Sequence, residues 1–216
     1  MKNVFKGIRY RILKSIRAVS CIVFALMMVV CAAAATPNPV FAAGYTDIEG
    51  HWAEKIINRV TDLGLFVGGG NNQFFPQRET TRAEFITVMT RALNPEVDNT
   101  SNETSYWAFK YLKFAKEKGY IPADYDISEE YCSQTMSRLE MIRLLALMIE
   151  KLEVPHDVTP PDLTDTDGLD EADIKIIHFV MTTGVIKGHN NQVMPYKTTS
   201  RAELATVILN MHDKAP

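Results

Sequence analysis

Cysteine is scarce: of three, Cys21 and Cys31 lie in an apolar N-terminal stretch, which leaves Cys132 alone in the rest of the chain. No disulfide can close within that remainder, so its stability has to come from an apolar core. Metal-ligand spacing is missing as well. Where His51 would need a second histidine four residues on, the chain has Lys55, and His156, His178, His189 and His212 are scattered. Asp165, Asp167 and Asp170 surround Gly168 as in a calcium loop. With Gly168 at the sixth position, however, Leu163 and Ile174 fall at the first and twelfth, where oxygen ligands are needed. Helix capping is the expected role of these acids. No serine or cysteine stands in a nucleophile motif. The expectation is a chain with no catalytic residues, no metal and no cofactor, hence not an enzyme.

No acid precedes Asp47, whereas Lys2, Lys6, Arg9, Arg11, Lys14 and Arg17 form a basic head. A charge-free apolar run from Ala18 to Ala35 follows, then Pro37, Pro39 and Val40-Phe41-Ala42 before Ala43. Basic head, apolar middle and small-residue exit predict a secretory signal at 1–42 with cleavage after Ala42. The alternative is a retained anchor, because the run is just long enough to span a bilayer. A lipoprotein cleavage before Cys31 is disfavoured by the bulk of Val30. Cleavage at Ala42 leaves 17 basic against 26 acidic side chains, a net charge of −9. Such a balance argues against nucleic acid as a partner, and once the signal is gone no membrane association is expected. An anionic ligand has to be held by local cationic pockets, against the overall field.

What is present is a phrase said three times: Thr81-Arg82-Ala83-Glu84, Ser137-Arg138-Leu139-Glu140 and Ser200-Arg201-Ala202-Glu203. Gly64, Gly119 and Gly184 precede the three arginines by 18, 19 and 17 residues. Self-similarity at this period marks stacked supersecondary units. In the first, helical spacing runs through Trp52, Ile56, Val60 and Leu63 to Gly64; a turn at Gly68-Gly69-Gly70-Asn71-Asn72 and Phe75-Pro76 lead to a second helix carrying Phe85, Ile86, Met89 and Leu93. The second repeats this through Trp107, Tyr111, Phe114, Ala115 and Gly119, then Leu139, Ile142, Leu145, Ala146, Ile149 and Leu152, but replaces the glycine-asparagine turn with residues 122–134. The third runs through Ile174, Ile177 and Val180 to Gly184, repeats the turn at Gly188-His189-Asn190-Asn191, and closes on Leu204, Val207, Ile208 and Met211. Ala172 stands where the others have tryptophan. Boundaries are expected at 43–98, 99–158 and 159–216. No unit alone can bury both of its helices, which favours three closing on a shared core.

Ser or Thr followed three residues later by Glu is a capping box, and three helices beginning that way account for both residue types. They do not account for the arginine, a cation at the electropositive end of a helix. One explanation is an anion: helix-start amides attract carboxylate or phosphate, and a guanidinium adds a two-pronged donor. The other is an ion pair with an acid of a neighbouring unit. Trp52 and Trp107, each opening a helix, offer a flat face and an N–H suited to a sugar ring, although core packing is the simpler account of both. Asn71, Asn72, Asn190 and Asn191 sit in turns where they could contact sugar hydroxyls, although turn chemistry alone is the simpler account.

Taken together, these residues resemble the S-layer homology module, usually found in threes on bacterial cell-surface proteins. The resemblance rests on Tyr45-Thr46-Asp47, His51-Trp52-Ala53, Gly64, Gly68, Phe75-Pro76 and the first phrase. In the third unit it rests on Leu163-Thr164-Asp165, Gly184, Gly188, Met194-Pro195 and the phrase, and in the second on Trp107-Ala108, Gly119 and the phrase. It implies a mainly α fold, three tandem helix-loop-helix repeats packed as a pseudo-threefold helical body with grooves between units. It implies a non-catalytic, secreted protein at the cell wall, binding an anionic, pyruvylated secondary wall polysaccharide and anchoring itself or another surface protein. The residues carried over by position as polysaccharide-binding are Arg82, Arg138, Arg201, Trp52 and Trp107. Ala172 and the altered second turn imply unequal grooves. The competing reading is a protein-interaction or surface-coat scaffold without glycan affinity, in which the arginines pair with protein acids.

Overall fold

The computed structural model describes residues 44–214. The expected signal segment, its cleavage site, Cys21 and Cys31 lie outside the described residues. Among those residues are seven α-helices: α1 (Glu54–Asp62), α2 (Arg82–Leu93), α3 (Phe109–Glu117), α4 (Glu129–Cys132), α5 (Arg138–Leu152), α6 (Glu171–Thr182) and α7 (Arg201–Lys214). A 3-10 turn, Pro95–Asn99, follows α2. Strand pairing among the described residues is confined to isolated bridges, so the fold is mainly helical, as expected.

The opening helices α1, α3 and α6 each stop at a glycine with positive φ: 69° at Gly64, 71° at Gly119 and 70° at Gly184. That is the left-handed exit a side chain resists. Their buried seam differs from the one expected. Ala53, Ile57 and Val60 are buried on α1 and its cap, and Ala108, Leu112 and Ala115 on α3, whereas Trp52 and Trp107 stand out in solvent, 61% and 52% exposed. Helical spacing fits both seams, and ring size misleads: the interface takes small alanines at the position after each tryptophan. The third chain stretch has Asp173 there, buried on α6. A buried carboxylate needs a partner. Arg143 on α5 supplies one, with Nε 2.8 Å from Oδ1 and one terminal nitrogen 2.6 Å from Oδ2.

Packing partners come from far apart in sequence. α1 rests on α7, α3 on α2 and α6 on α5. Each opening helix thus covers a closing helix other than the one that follows it, and the three closing a cycle bury one continuous core. The segments ahead of α2, α5 and α7 interlock in the same cycle. The first helical amide of each donates to a carbonyl elsewhere: Arg82 to Gln134 (3.1 Å), Arg138 to Lys197 (2.8 Å) and Arg201 to Arg78 (2.9 Å). The next amides of α5 and α7, on Leu139 and Ala202, donate to Pro195 and Pro76. The third is taken by the capping hydroxyls of Thr81, Ser137 and Ser200. The helix tips that the sequence offered to an anion are therefore largely spent within the protein. What remains for a ligand is the guanidinium alone.

Two turns shape the loops that enter the site. Asn71 and Asn72 have φ of 52° and 55°, and Asn190 and Asn191 of 50° and 59°. Positive φ at both central residues is the type I′ requirement, which asparagine meets at low cost. At Gly188 an added Cβ would lie 2.8 Å from the carbonyl oxygen of Gln192, so the loop closes only on glycine there. After each turn one bulky residue is forced to positive φ: Phe75 at 58° and Met194 at 54°. Aspartates hold these conformations. Asp165 accepts from the amides of Val193 (3.0 Å) and Met194 (2.6 Å), and Asp47 from those of Phe74 and Phe75 at 2.8 and 2.7 Å. Asp170 does cap α6, but Asp165 is a loop clamp and not the helix cap expected of it. Asp165→Ala should cost about 2 kcal/mol for two lost charge-assisted bonds. Thermal unfolding followed by circular dichroism should then show a midpoint lower by roughly 4–8 °C.

Candidate functional site

The three arginines meet three glutamates in a closed cycle. Arg82 grips Glu140, with Nε 2.6 Å from one oxygen and a terminal nitrogen 3.0 Å from the other. Arg201 meets Glu84 at 3.2 Å, and Arg138 approaches Glu203 at 3.7 Å. Each arginine of a phrase therefore pairs with the glutamate of another phrase. Glu140 consequently does not close its own capping box; only the Ser137 half is made there, whereas Thr81/Glu84 and Ser200/Glu203 make both halves.

The three guanidinium groups differ in how fully they are used. Arg82 also donates to the Tyr131 carbonyl and to Gln134, and its plane lies 4.3 Å from the centre of the Tyr131 ring. Burial opposes its charge, but Glu140 outweighs burial and holds its pKa above the ordinary value. Arg201 is 4% exposed and every nitrogen has a partner: Nε the Phe74 carbonyl at 2.8 Å, one terminal nitrogen Glu84, the other the Val67 carbonyl at 3.0 Å. The rings of Phe66 and Phe74 lie 4.6 and 4.9 Å from its carbon. Arg138 is the exception. Among the described residues it makes one hydrogen bond, 3.3 Å to the Lys187 carbonyl, and its buried Nε has no hydrogen-bond partner there. Burial depresses its pKa, as it does that of Arg201, and Glu203 and Asp165 offset that only in part; what sets Arg138 apart is its missing hydrogen bonds. A desolvated cation so weakly compensated gains from an incoming anion.

Arg138 lines a cavity of about 440 Å³, and Trp52 lines it too. The remaining walls come from the loop after α6 and from α7: Lys187, His189, Met194, Lys197, Glu203, Thr206 and Asn210. Three side chains of fixed positive charge face one carboxylate in a chain whose described part is acidic. Asn210 is held by its amide on the Val185 carbonyl at 3.0 Å, and Lys197 by Glu203 at 2.9 Å. An exposed indole and a guanidinium lining one cavity, together with amide and hydroxyl groups, are a constellation that suits a carboxylated sugar. Exposure rules out core packing for both tryptophans. Of the five residues singled out in the sequence, the cavity brings together Arg138 and Trp52. Arg82 and Arg201 are committed to internal partners, and Trp107 is exposed away from this cavity's lining. Lys187, Lys197 and Asn210 escaped the sequence reading. The signal for Lys187 was its place between Gly184 and the asparagine turn, a loop already seen to recur.

Glu203 sits at the hinge of this arrangement. Burial pushes its pKa up, but the Ser200 amide and Lys197 outweigh that and hold it below its ordinary value of 4.5. A carboxylate depressed in the folded state stabilises above its unfolded pKa, and the contribution fades as pH falls through the folded value. Melting temperature should therefore drop as pH is lowered below about 4, and Glu203→Gln should flatten that acid limb in a pH series of thermal melts.

Comparison with known proteins places this helical body, with its cationic, tryptophan-edged groove, near bacterial surface proteins. Residues 44–86 match the family described as S-layer homology domain. The chain is 28% identical over 182 residues to "S-layer protein EA1" of Bacillus anthracis, covering 79% of this chain and 20% of that protein. It is 27% identical over 197 residues to an "S-layer protein" of Bacillus licheniformis, covering 86% of this chain and 22% of the relative. It is 32% identical over 113 residues to a "Cellulosome-anchoring protein" of Acetivibrio thermocellus, 48% of this chain and 25% of the relative. The chain is thus similar to the S-layer homology family through residues 44–86, and to these surface proteins over much of its length. It spans about a fifth to a quarter of the length of these relatives.

Proposed function

We propose that this chain is a non-catalytic, secreted cell-wall module that holds an anionic, pyruvylated secondary wall polysaccharide and so anchors itself or a surface protein to the bacterial wall. Three modules, 43–98, 99–158 and 159–216, follow a signal at 1–42. The observation that carries the reading is Arg138: a buried guanidinium with an unpartnered Nε, in a cavity that also holds the exposed Trp52. The carboxylate of a pyruvate ketal supplies the charge that Glu203, at 3.7 Å, supplies poorly. The indole packs on the sugar's apolar face, and Lys187 and Lys197 favour an acidic chain passing the mouth. Relatives named for surface layers and for cellulosome anchoring support a wall location.

The scaffold reading keeps support from Arg82 and Arg201, whose pairing with protein acids serves cohesion rather than binding. Both roles coexist: two arginines tie the body together and one remains available. The test is co-sedimentation of residues 43–216 with purified sacculi, before and after chemical removal of the secondary polymer. Retention on intact sacculi and its loss on stripped ones is the expected result. Equal retention on both would reject the polymer as ligand.

A further inference from the structure

The three phrase arginines occupy corresponding places, yet aromatic side chains cover two of them. Over Arg201 lie Phe66 and Phe74, and over Arg82 lies Tyr131. Counting from the conserved-in-chain glycines and prolines, Phe66 corresponds to Ile186, two residues after Gly184, and Phe74 to Val193, two before Pro195. Both of those smaller side chains line the Arg138 cavity. The carbonyl contacts differ in step with the side chains. Arg201 donates Nε to the Phe74 carbonyl and a terminal nitrogen to that of Val67. Arg138 keeps the second bond, to the matching Lys187 carbonyl, but not the first, and its Nε is left without a partner.

Resting on the glycan reading above, we infer that the chain binds a single carboxylated sugar, at Arg138, and that Ile186 and Val193 keep that place open where Phe66 and Phe74 close the one at Arg201, while Tyr131 closes the one at Arg82. At the other two, aromatic rings and protein acids occupy what the sugar and its carboxylate would take. A ring stacked on a guanidinium is itself favourable, so these places are closed by stable packing rather than by an accident of rotamer. Retention on a wall then rests on one groove per chain, with no gain from linked sites.

The test has two arms. Isothermal titration of residues 43–216 with a methyl hexoside bearing a 4,6-pyruvate ketal should give one site per chain. Val193→Phe should abolish that binding while leaving the melting temperature unchanged or higher, because the ring takes over the cavity and stacks on Arg138 as Phe74 does on Arg201. Ile186→Phe is the second variant, should Val193→Phe fail to fold. Two or three sites per chain, or unchanged affinity in a folded phenylalanine variant, would overturn this inference and leave the glycan reading standing. No heat with the wild-type chain, together with no retention on sacculi, would sink the glycan reading and this inference with it.

Discussion

Arg82→Ala should lower the melting temperature by roughly 8–16 °C, the largest single-residue effect expected on stability. The pair it breaks is well shielded, with side chains 13% and 20% exposed, and is bidentate. Removing one partner of such a pair leaves the other charge buried, at a cost on the order of 4 kcal/mol. Glu140 would keep only the hydroxyls of Tyr125 and Tyr131, each 3.3 Å away. The loss also reaches two helices at once, because the guanidinium begins α2 and the carboxylate belongs to α5. Arg82→Lys should recover only part of the stability, since an ammonium cannot make the two parallel bonds or stack on Tyr131. Thermal melts of both variants check this; a shift under about 2 °C for the alanine variant would remove the cycle of ion pairs from the account of cohesion.

Arg138→Ala should do the reverse. Its pair with Glu203 is long, its Nε makes no bond, and burial already works against its charge. Glu203 retains Lys197 and the Ser200 amide when the arginine is gone. Stability should change by less than about 1 kcal/mol. Affinity for a carboxylated wall polymer should fall roughly 10–100-fold, the worth of a lost charge-assisted contact in a shielded site. Fluorescence titration through Trp52 reads it, with the melt as control. A variant that binds normally would move the site elsewhere; one that unfolds would place Arg138 with Arg82 among the structural pairs.

The contrast between these two arginines was not legible in the sequence, where they sit in the same phrase. Local patterning gave the opening and closing helices (though not α4), their glycine exits and the closing-helix cores through Phe85, Ile142 and Ile208, because periodicity and capping are properties of neighbouring residues. What it could not give was which helix covers which. The pairing of α1 with α7 joins residues some 150 positions apart, and nothing in a local window encodes it. The meaning of each arginine hangs on that pairing, since it decides whether Tyr131, Phe74 or Val193 lies over the guanidinium. The tryptophans misled for a related reason. A large apolar ring on a helical stripe reads as core, yet the interface selects the alanine beside it, and the ring is left to the groove. Asp47 and Asp165 were visible as a recurrent residue, but their partners, the amides of a strained turn some 28 residues on, are a tertiary fact.

The most direct measurement compares the soluble wall polymer with the same polymer after its carboxylates have been reduced to alcohols, each titrated against residues 43–216. Saturable binding of the first is expected, and a loss of at least roughly ten-fold with the second, since the alcohol leaves Arg138 without its anion. Equal affinity for the two forms would contradict it.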